Sequence, residues 1–291
     1  MNNVVIIGYG DIGQRVAQRY AGLNVPVIGI ARSNNVAAVA AVPGSSMMKA
    51  DLDQSESLQH LPLKNAVVFY FAPPPGTGIA DSRLRHLLAR ITPANLPQKF
   101  VLISTTAVYG NCSGEWVTES TPVDPQTDRG RRRLDSEQAL QDWSARVQRD
   151  SVILRVAGIY AEDRLPVDRL QQKLPILHEH LSPYSNRIHA DDLAMICMAA
   201  AENAANGAIY NVCDGQPSTM SYYFKAIARA LGLPAPPEVD LETAQRVMSA
   251  GMLSYLSESR RISNQKLLDE LGVTLRYANL DVALAELKQQ Q

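Results

Sequence analysis

Gly8, Gly10 and Gly13 stand in the spacing G-x-G-x-x-G within Gly8-Tyr9-Gly10-Asp11-Ile12-Gly13, directly after the apolar run Val4-Val5-Ile6-Ile7. A strand, this turn and a following helix are what a dinucleotide pyrophosphate requires. Gly8 can take the tight turn, Gly10 lacks the Cβ that would hold the backbone away from phosphate, and Gly13 lets the helix approach the strand. The free N–H groups at the start of that helix then face the anion. The plainer alternative is a glycine-rich turn in a parallel α/β protein with no ligand. The next expected strand, Pro26-Val27-Ile28-Gly29-Ile30-Ala31, runs into Arg32-Ser33. An NAD-binding chain usually carries Asp or Glu at about this point, to bond the ribose 2′-OH. A guanidinium beside a hydroxyl, with no carboxylate, suits a 2′-phosphate through two parallel N–H bonds, so NADP(H) is expected over NAD(H). Arg32 as a solvated residue after a strand is the alternative.

These residues need a scaffold, and the chain has one. Short apolar runs alternate with helical patterns for about 215 residues, the pattern of a parallel sheet wrapped by helices. Strands are expected at Val4 to Ile7, Val27 to Ala31, Met47 to Ala50, Ala66 to Phe71, Phe100 to Ser104, Val152 to Val156 and Ile209 to Val212. Helices are expected at Asp11 to Ala21, Asn34 to Ala41, Asp81 to Ile91, Arg131 to Arg149 and Ala190 to Asn203. From Gln216 the strand pattern stops and helical text follows, broken by Leu233-Pro234-Ala235-Pro236-Pro237. The expected architecture is a Rossmann-type doubly wound parallel sheet over 1–215, with a substrate-side insertion near 161–187, and a smaller, mostly helical substrate lobe over 216–291. Such a lobe would lie across the carboxyl ends of the strands, where open α/β sheets bind ligands.

Composition narrows the function classes. The 291 residues are 46% hydrophobic, ample for a large core, and the formal net charge is -1. Neither a nucleic-acid surface nor an anionic membrane is expected as partner, since both call for a basic excess. The N-terminal apolar stretch has no basic flank and stops at glycine after four residues, so no signal peptide or membrane span is expected. Cys112, Cys197 and Cys213 are widely spaced and lack a C-x-x-C pair. They are expected to be free thiols in a reducing cytoplasm, with no metal site.

Further motifs follow in order: Asp51-Leu52, then Ser104-Thr105-Thr106-Ala107-Val108-Tyr109-Gly110, then Leu154-Arg155-Val156-Ala157-Gly158-Ile159-Tyr160. Arg187-Ile188-His189-Ala190-Asp191-Asp192-Leu193-Ala194 and Tyr210-Asn211-Val212-Cys213-Asp214-Gly215 complete the set. With the glycine turn, their order and spacing resemble the extended or atypical short-chain dehydrogenase/reductases, the group of sugar-nucleotide epimerases, dehydratases and related reductases. The resemblance spans nearly the whole chain. It implies a cofactor site formed by Gly8, Tyr9, Gly10, Asp11, Ile12 and Gly13, by Arg32 and Ser33, by Asp51 and Leu52, by Phe71, Ala72 and Pro73, and by Ala157, Gly158 and Ile159. Two departures point to the atypical branch: extended members usually carry G-x-x-G-x-x-G, and here the fourth strand runs into Phe71-Ala72-Pro73-Pro74-Pro75-Gly76.

The active site of that family joins a Ser or Thr with Tyr-x-x-x-Lys on a following helix, the Lys holding the ribose and easing loss of the phenol proton. Ser104 or Thr105 fills the first role. Arg129-Gly130-Arg131-Arg132-Arg133-Leu134 aligns with the helix motif and places Arg129 at the Tyr position and Arg133 at the Lys position. No tyrosine occurs between Tyr109 and Tyr160 and no lysine between Lys99 and Lys173, so the pair is absent from this stretch. Arg133 is expected to hold a ribose hydroxyl or pyrophosphate. A guanidinium cannot trade protons near neutrality, so Arg129 is expected to stabilise developing negative charge. Tyr109 is the leading candidate for the proton, with Tyr160 behind it, although either could be a packing aromatic. His189 reads as structural, with Asp191 or Asp192 as a helix cap. Tyr222, Tyr255 and Arg260-Arg261 mark the lobe surface that would meet substrate.

Two functions compete. One is an atypical NADP(H)-dependent oxidoreductase, or epimerase/dehydratase-like enzyme, acting on a polar small molecule, anionic or not, with Ser104, Thr105, Tyr109, Arg129 and Arg133 in the active site. The other is a non-catalytic NADP(H)-binding redox sensor or scaffold. A homodimer is implied by the family alone.

Overall fold

The computed structural model describes residues 3–32 and 42–289. Seven strands form one wholly parallel sheet: β1 (Val4–Ile7), β2 (Val27–Ala31), β3 (Ser45–Lys49), β4 (Val67–Tyr70), β5 (Lys99–Thr105), β6 (Asp150–Val156) and β7 (Ile209–Val212). Their spatial order is β7-β6-β5-β4-β1-β2-β3, so the winding reverses between β1 and β4. Val4 faces Val27 on one side and Val67 on the other. A crevice opens at such a reversal, beyond the carboxyl ends of the strands.

Both faces of the sheet are covered, and this explains why the central strands read as unbroken apolar runs. Val4 and Ile6 of β1 face α1 (Asp11–Ala21) and α4 (Ala190–Asn203), packing with Val16, Tyr20, Ile196 and Ala200. Val5 and Ile7 face α2 (Ser82–Arg90) and α3 (Asp128–Val147), packing with Leu84, Leu87, Leu140 and Trp143. β3 pairs only with β2 and is half-buried, so Ser45 and Ser46 are tolerated there and the strand begins before the expected Met47. α3 begins at Asp128, three residues earlier than expected, because the Thr127 hydroxyl accepts from the Gly130 N–H and starts the helix. Ser33 and the helix expected over Asn34 to Ala41 lie outside the described residues.

Beyond residue 216 the chain is mainly helical, with α5 (Met220–Ala230), α6 (Leu241–Val247), α7 (Ala250–Leu256), α8 (Gln265–Leu271) and α9 (Leu280–Gln289). α5 and α9 share a core built from Phe224, Ile227, Leu280 and Leu284. Leu267 and Leu271 of α8 instead pack into the core of the large sheet. Three two-residue strands, invisible to a periodicity argument, stitch this region to the first. Ser218–Thr219 pairs with Tyr184–Ser185, Glu238–Val239 with Ile176–Leu177, and Arg261–Ile262 with Trp116–Val117. Among the described residues no helix is long and apolar enough to cross a membrane. Cys112, Cys197 and Cys213 are free thiols.

Candidate functional site

The glycine turn has the backbone geometry that its spacing calls for. Gly8 has φ +90°, and a Cβ there would meet the Ala72 nitrogen at 2.4 Å, so the loop after β4 can close on it only if it is glycine. Gly10 faces open space, where a phosphate could approach the backbone, and Gly13 lies against Ile6, 3.0 Å from its Cγ2 to the Gly13 Cβ position. Tyr9 turns its ring back onto Gly29, where a Cβ would sit 2.5 Å from the Tyr9 ring. The cavity above the ends of β1 to β4 is lined by Gly8, Tyr9, Gly10, Arg32, Leu52, Phe71, Ala72 and Pro73, all expected at the cofactor site. Arg83 of α2 also lines it and was not anticipated. Its guanidinium grips Asp53 with two bonds of 2.8 and 2.7 Å and reaches the Pro73 carbonyl at 3.0 Å, clasping the loops after β3 and β4 together. The bond to Arg83 holds the Asp53 carboxyl below its usual range.

A second cavity of ≈ 260 Å³ opens above the ends of β5 and β6. Thr105, Arg129, Ala157 and Gly158 line it, joined by Tyr184, Ser185 and Arg187, and by Tyr255, Glu258 and Arg260 from the C-terminal region. α3 delivers Arg129 because Gly130 lets the helix start abut the turn after β5; a Cβ there would lie 2.9 Å from the Ala107 carbonyl. The Arg129 guanidinium stacks on the Tyr255 ring, 3.8 Å from its centre. The roof is fixed by backbone: the Ser259 carbonyl accepts from the Cys112 and Gly114 N–H groups, and Asn186 bonds both Arg260 and Ile262. Arg260 bonds Glu258 at 2.8 Å and the Gly110 carbonyl at 2.6 Å. Arg187 packs over the Tyr223 ring at 3.4 Å, and its Nε is enclosed without a partner among the described residues. Burial lowers the pKa of Arg187.

The structure separates Ser104 and Tyr109 from this cavity. The Ser104 hydroxyl donates to Glu137 at 2.5 Å, and Glu137 forms a buried ion pair with Arg155 at 2.8 Å. Arg155 also donates to the Tyr109 hydroxyl at 2.9 Å, which in turn donates to Asn211 at 2.8 Å. Both hydroxyls thus belong to a closed network beneath the site, and burial raises the Tyr109 pKa. The side chain that reaches the cavity at the end of β5 is Thr105. Tyr160, held behind Tyr109 as a proton source, packs edge-on against His189, and burial pushes its pKa far up.

Other expected residues have local duties. The Asp11 carboxylate pairs with Arg15 and Arg164, tying α1 to the segment after β6. Ile12 is buried in the core. Asp51 accepts from the Asp53 N–H, and Ile159 pairs with Ile188 in a short parallel ladder. Arg133 lines neither cavity, and its Nη1 is enclosed without a partner among the described residues. The cap of α4 expected at Asp191 or Asp192 is His189, whose ring nitrogen accepts from the Asp191 N–H at 3.2 Å. The two aspartates are spoken for elsewhere: Asp191 pairs with Arg15, and Asp192 accepts from the N–H groups of Arg276 and Tyr277.

A groove with an open phosphate approach at Gly10 and with Arg32 on its wall fits a dinucleotide. The sequence pattern of the NAD dependent epimerase/dehydratase family matches residues 4–213. The chain belongs to this family. Protein YeeZ of Escherichia coli (strain K12) is 27% identical over 294 residues, covering 95% of this chain and 97% of that one. A functionally unknown conserved protein from Silicibacter pomeroyi DSS is 26% identical with a TM-score of 0.82, covering 100% of this chain and 99% of that one. The dTDP-glucose 4,6-dehydratase of Bacillus anthracis, solved in complex with NAD, has a TM-score of 0.79 over 99% of this chain and 96% of its own. Its identity is 17%, so this likeness is one of fold. The family sheet and its helical C-terminal part are both present here.

Proposed function

We propose that the protein is an NADP(H)-dependent oxidoreductase of the epimerase/dehydratase type, acting on a small polar substrate. The observation that carries this reading is the placement of two cavities at the carboxyl end of one sheet, a phosphate-ready groove over β1 to β4 and an arginine-lined cavity over β5 and β6. Family membership and the NAD of the Bacillus anthracis neighbour support a nicotinamide dinucleotide in the groove. Preference for the 2′-phosphate rests on Arg32, which lines the groove where β2 ends.

A nicotinamide dinucleotide held along Gly8, Gly10 and Arg32 would supply hydride chemistry at the substrate carbon, in either direction. Thr105 offers a hydroxyl to the substrate oxygen. Arg129 stabilises the negative charge that builds on that oxygen, without itself giving a proton. Tyr255 carries a phenol hydroxyl in the same cavity and gives the oxygen its proton; the ring is 54% exposed, so solvent can restore it. Reduction thus places a hydride on carbon and a proton on oxygen, and oxidation removes both. Arg133 is assigned to the cofactor ribose from its place at the family's Lys position. Ser104 and Tyr109 take no part, since their hydroxyls are committed to the buried network.

The first test is the thermal midpoint with NADPH, NADP+, NADH and NAD+ in turn. At 100 times the dissociation constant, a bound dinucleotide should raise it by about 5 to 11 °C, and Arg32→Ala should cut the shift for the phosphorylated forms. No shift with any dinucleotide overturns the reading. Arg129→Gln should slow turnover by about 10²-fold while NADPH affinity holds. If no carbonyl compound is turned over while NADPH and NADP+ bind unequally, the chain is a redox sensor instead.

A further inference from the structure

The charges of the second cavity do not balance. Arg129, Arg187 and Arg260 line it against one carboxylate, Glu258, and that carboxylate pairs with Arg260. Among the described residues neither Arg129 nor Arg187 has an acidic oxygen within 4.0 Å, whereas Arg15, Arg83, Arg155 and Arg260 all do. Arg187 is the more telling of the two because it is the more enclosed. Its Nε has no partner, and its Nη2 makes only 3.3 Å contacts to the Ser185 hydroxyl and the Met220 sulfur. Enclosing a guanidinium without a counter-charge is costly.

The surroundings make room for Arg187 and keep it unpaired. A Cβ on Gly158 would lie 3.1 Å from Arg187 Nη1, so glycine there leaves the fork free to face the cavity. The Asp214 N–H donates to the Arg187 carbonyl, fixing the backbone, while the Asp214 carboxylate accepts from the Gln216 N–H instead of the guanidinium. The Asp214 carboxyl lies within electrostatic reach of Arg187, but burial pushes its pKa up to about 7, so below that pH it is mainly neutral.

We propose that this cavity receives one oxyanion, a carboxylate or phosphate carried by a small carbonyl substrate, and that Arg187 is the residue that holds it. The carbonyl part of this statement rests on the oxidoreductase reading; the anion part stands on the cavity alone. A planar five-donor fork matches two oxygens of either group. At ≈ 260 Å³ the space lies below the roughly 300–1,000 Å³ of pockets that enclose drug-sized ligands, so the substrate is a compact acid and not an extended nucleotide conjugate. Thr105 and Arg129 line the same cavity and would meet the carbonyl, leaving Arg187 for the anionic end.

The test is a titration of the full chain with pyruvate and, separately, with inorganic phosphate, read by calorimetry and by thermal midpoint at constant ionic strength. Wild type, Arg187→Gln, Arg187→Lys and Arg146→Gln are compared, the last removing an exposed charge of α3 away from the cavity. Saturation by one or both anions at about 20 mM or below is expected, with about tenfold weaker binding in Arg187→Gln, partial rescue in Arg187→Lys and no change in Arg146→Gln. A response to pyruvate alone assigns a carboxylate, and a response to phosphate alone assigns a phosphate. The proposal is overturned if neither anion binds, if chloride reproduces the effect, or if Arg187→Gln binds as wild type does. Dinucleotide affinity is measured in each variant: its absence in wild type would sink the oxidoreductase reading while leaving the anion result standing.

Discussion

Arg155 and Arg187 lie on adjoining elements at the same end of the molecule, both largely enclosed, and their charges are met in opposite ways. Arg155 is 5% exposed and is surrounded by partners: three of its bonds reach Glu137 and a fourth reaches Tyr109. Arg187 has an aromatic ring on one face, two long contacts and an orphaned nitrogen. A buried charge tolerates little dissatisfaction, so a fully paired arginine has no capacity left for a ligand and an unpaired one retains it. The first holds β5, β6 and α3 together from below. The second faces a cavity at their ends.

The largest test of this contrast is removal of the paired partner. Glu137→Ala strands Arg155 and the Ser104 hydroxyl in the core and should cost about 3–5 kcal/mol, lowering the thermal midpoint by roughly 10 °C. An unchanged midpoint would break the comparison at its structural end. A smaller effect is expected at Asp214. Its carboxyl is held neutral to about pH 7 in the folded chain but ionises near 3.8 when unfolded. The folded state therefore binds the extra proton, and this stabilisation is complete below about pH 4 and lost as pH rises through 7. Asp214→Asn should gain on wild type between pH 4 and 8, by at most about 4 kcal/mol in urea melts. If the variant instead loses ground between pH 4 and 7, Asp214 is ionised there and neutralises Arg187, and the contrast between the two arginines collapses. The smallest effect sharpens the comparison. Gly158→Ala should press on Arg187 Nη1 and weaken anion binding by about tenfold or less, with little change in melting, because residue 158 is exposed. Equal anion affinity in that variant would mean that the fork does not use the space glycine leaves.

Much of the fold could be read in advance because it is written in local patterns. The apolar runs of β1, β2 and β7 and the helical periods of α1 and α4 appear where expected, since a strand buried on both faces must be apolar throughout and a covering helix must bury one stripe. The glycine turn was equally legible, because its requirements are backbone requirements within six residues. The second cavity was not. Thr105 and Ser104 are neighbours in sequence, yet alternation along β5 turns one toward the cavity and the other toward Glu137, 33 residues away. Arg187 stood inside a motif that marked the family, and nothing local signals that its guanidinium lacks a carboxylate. Arg83 carried no signal at all: only the fold brings Asp53 and Pro73 to its fork.

What the sequence alone determined is the sheet, its winding and a phosphate-ready turn at its first strand, because each depends on residues within one element or on the twist of parallel strands. What tertiary structure alone decided is which polar groups are satisfied. Charge compensation is a property of space: Arg155 finds Glu137 and Arg260 finds Glu258, while Arg187, walled by Tyr223 and freed by Gly158, has no acidic oxygen within 4.0 Å among the described residues.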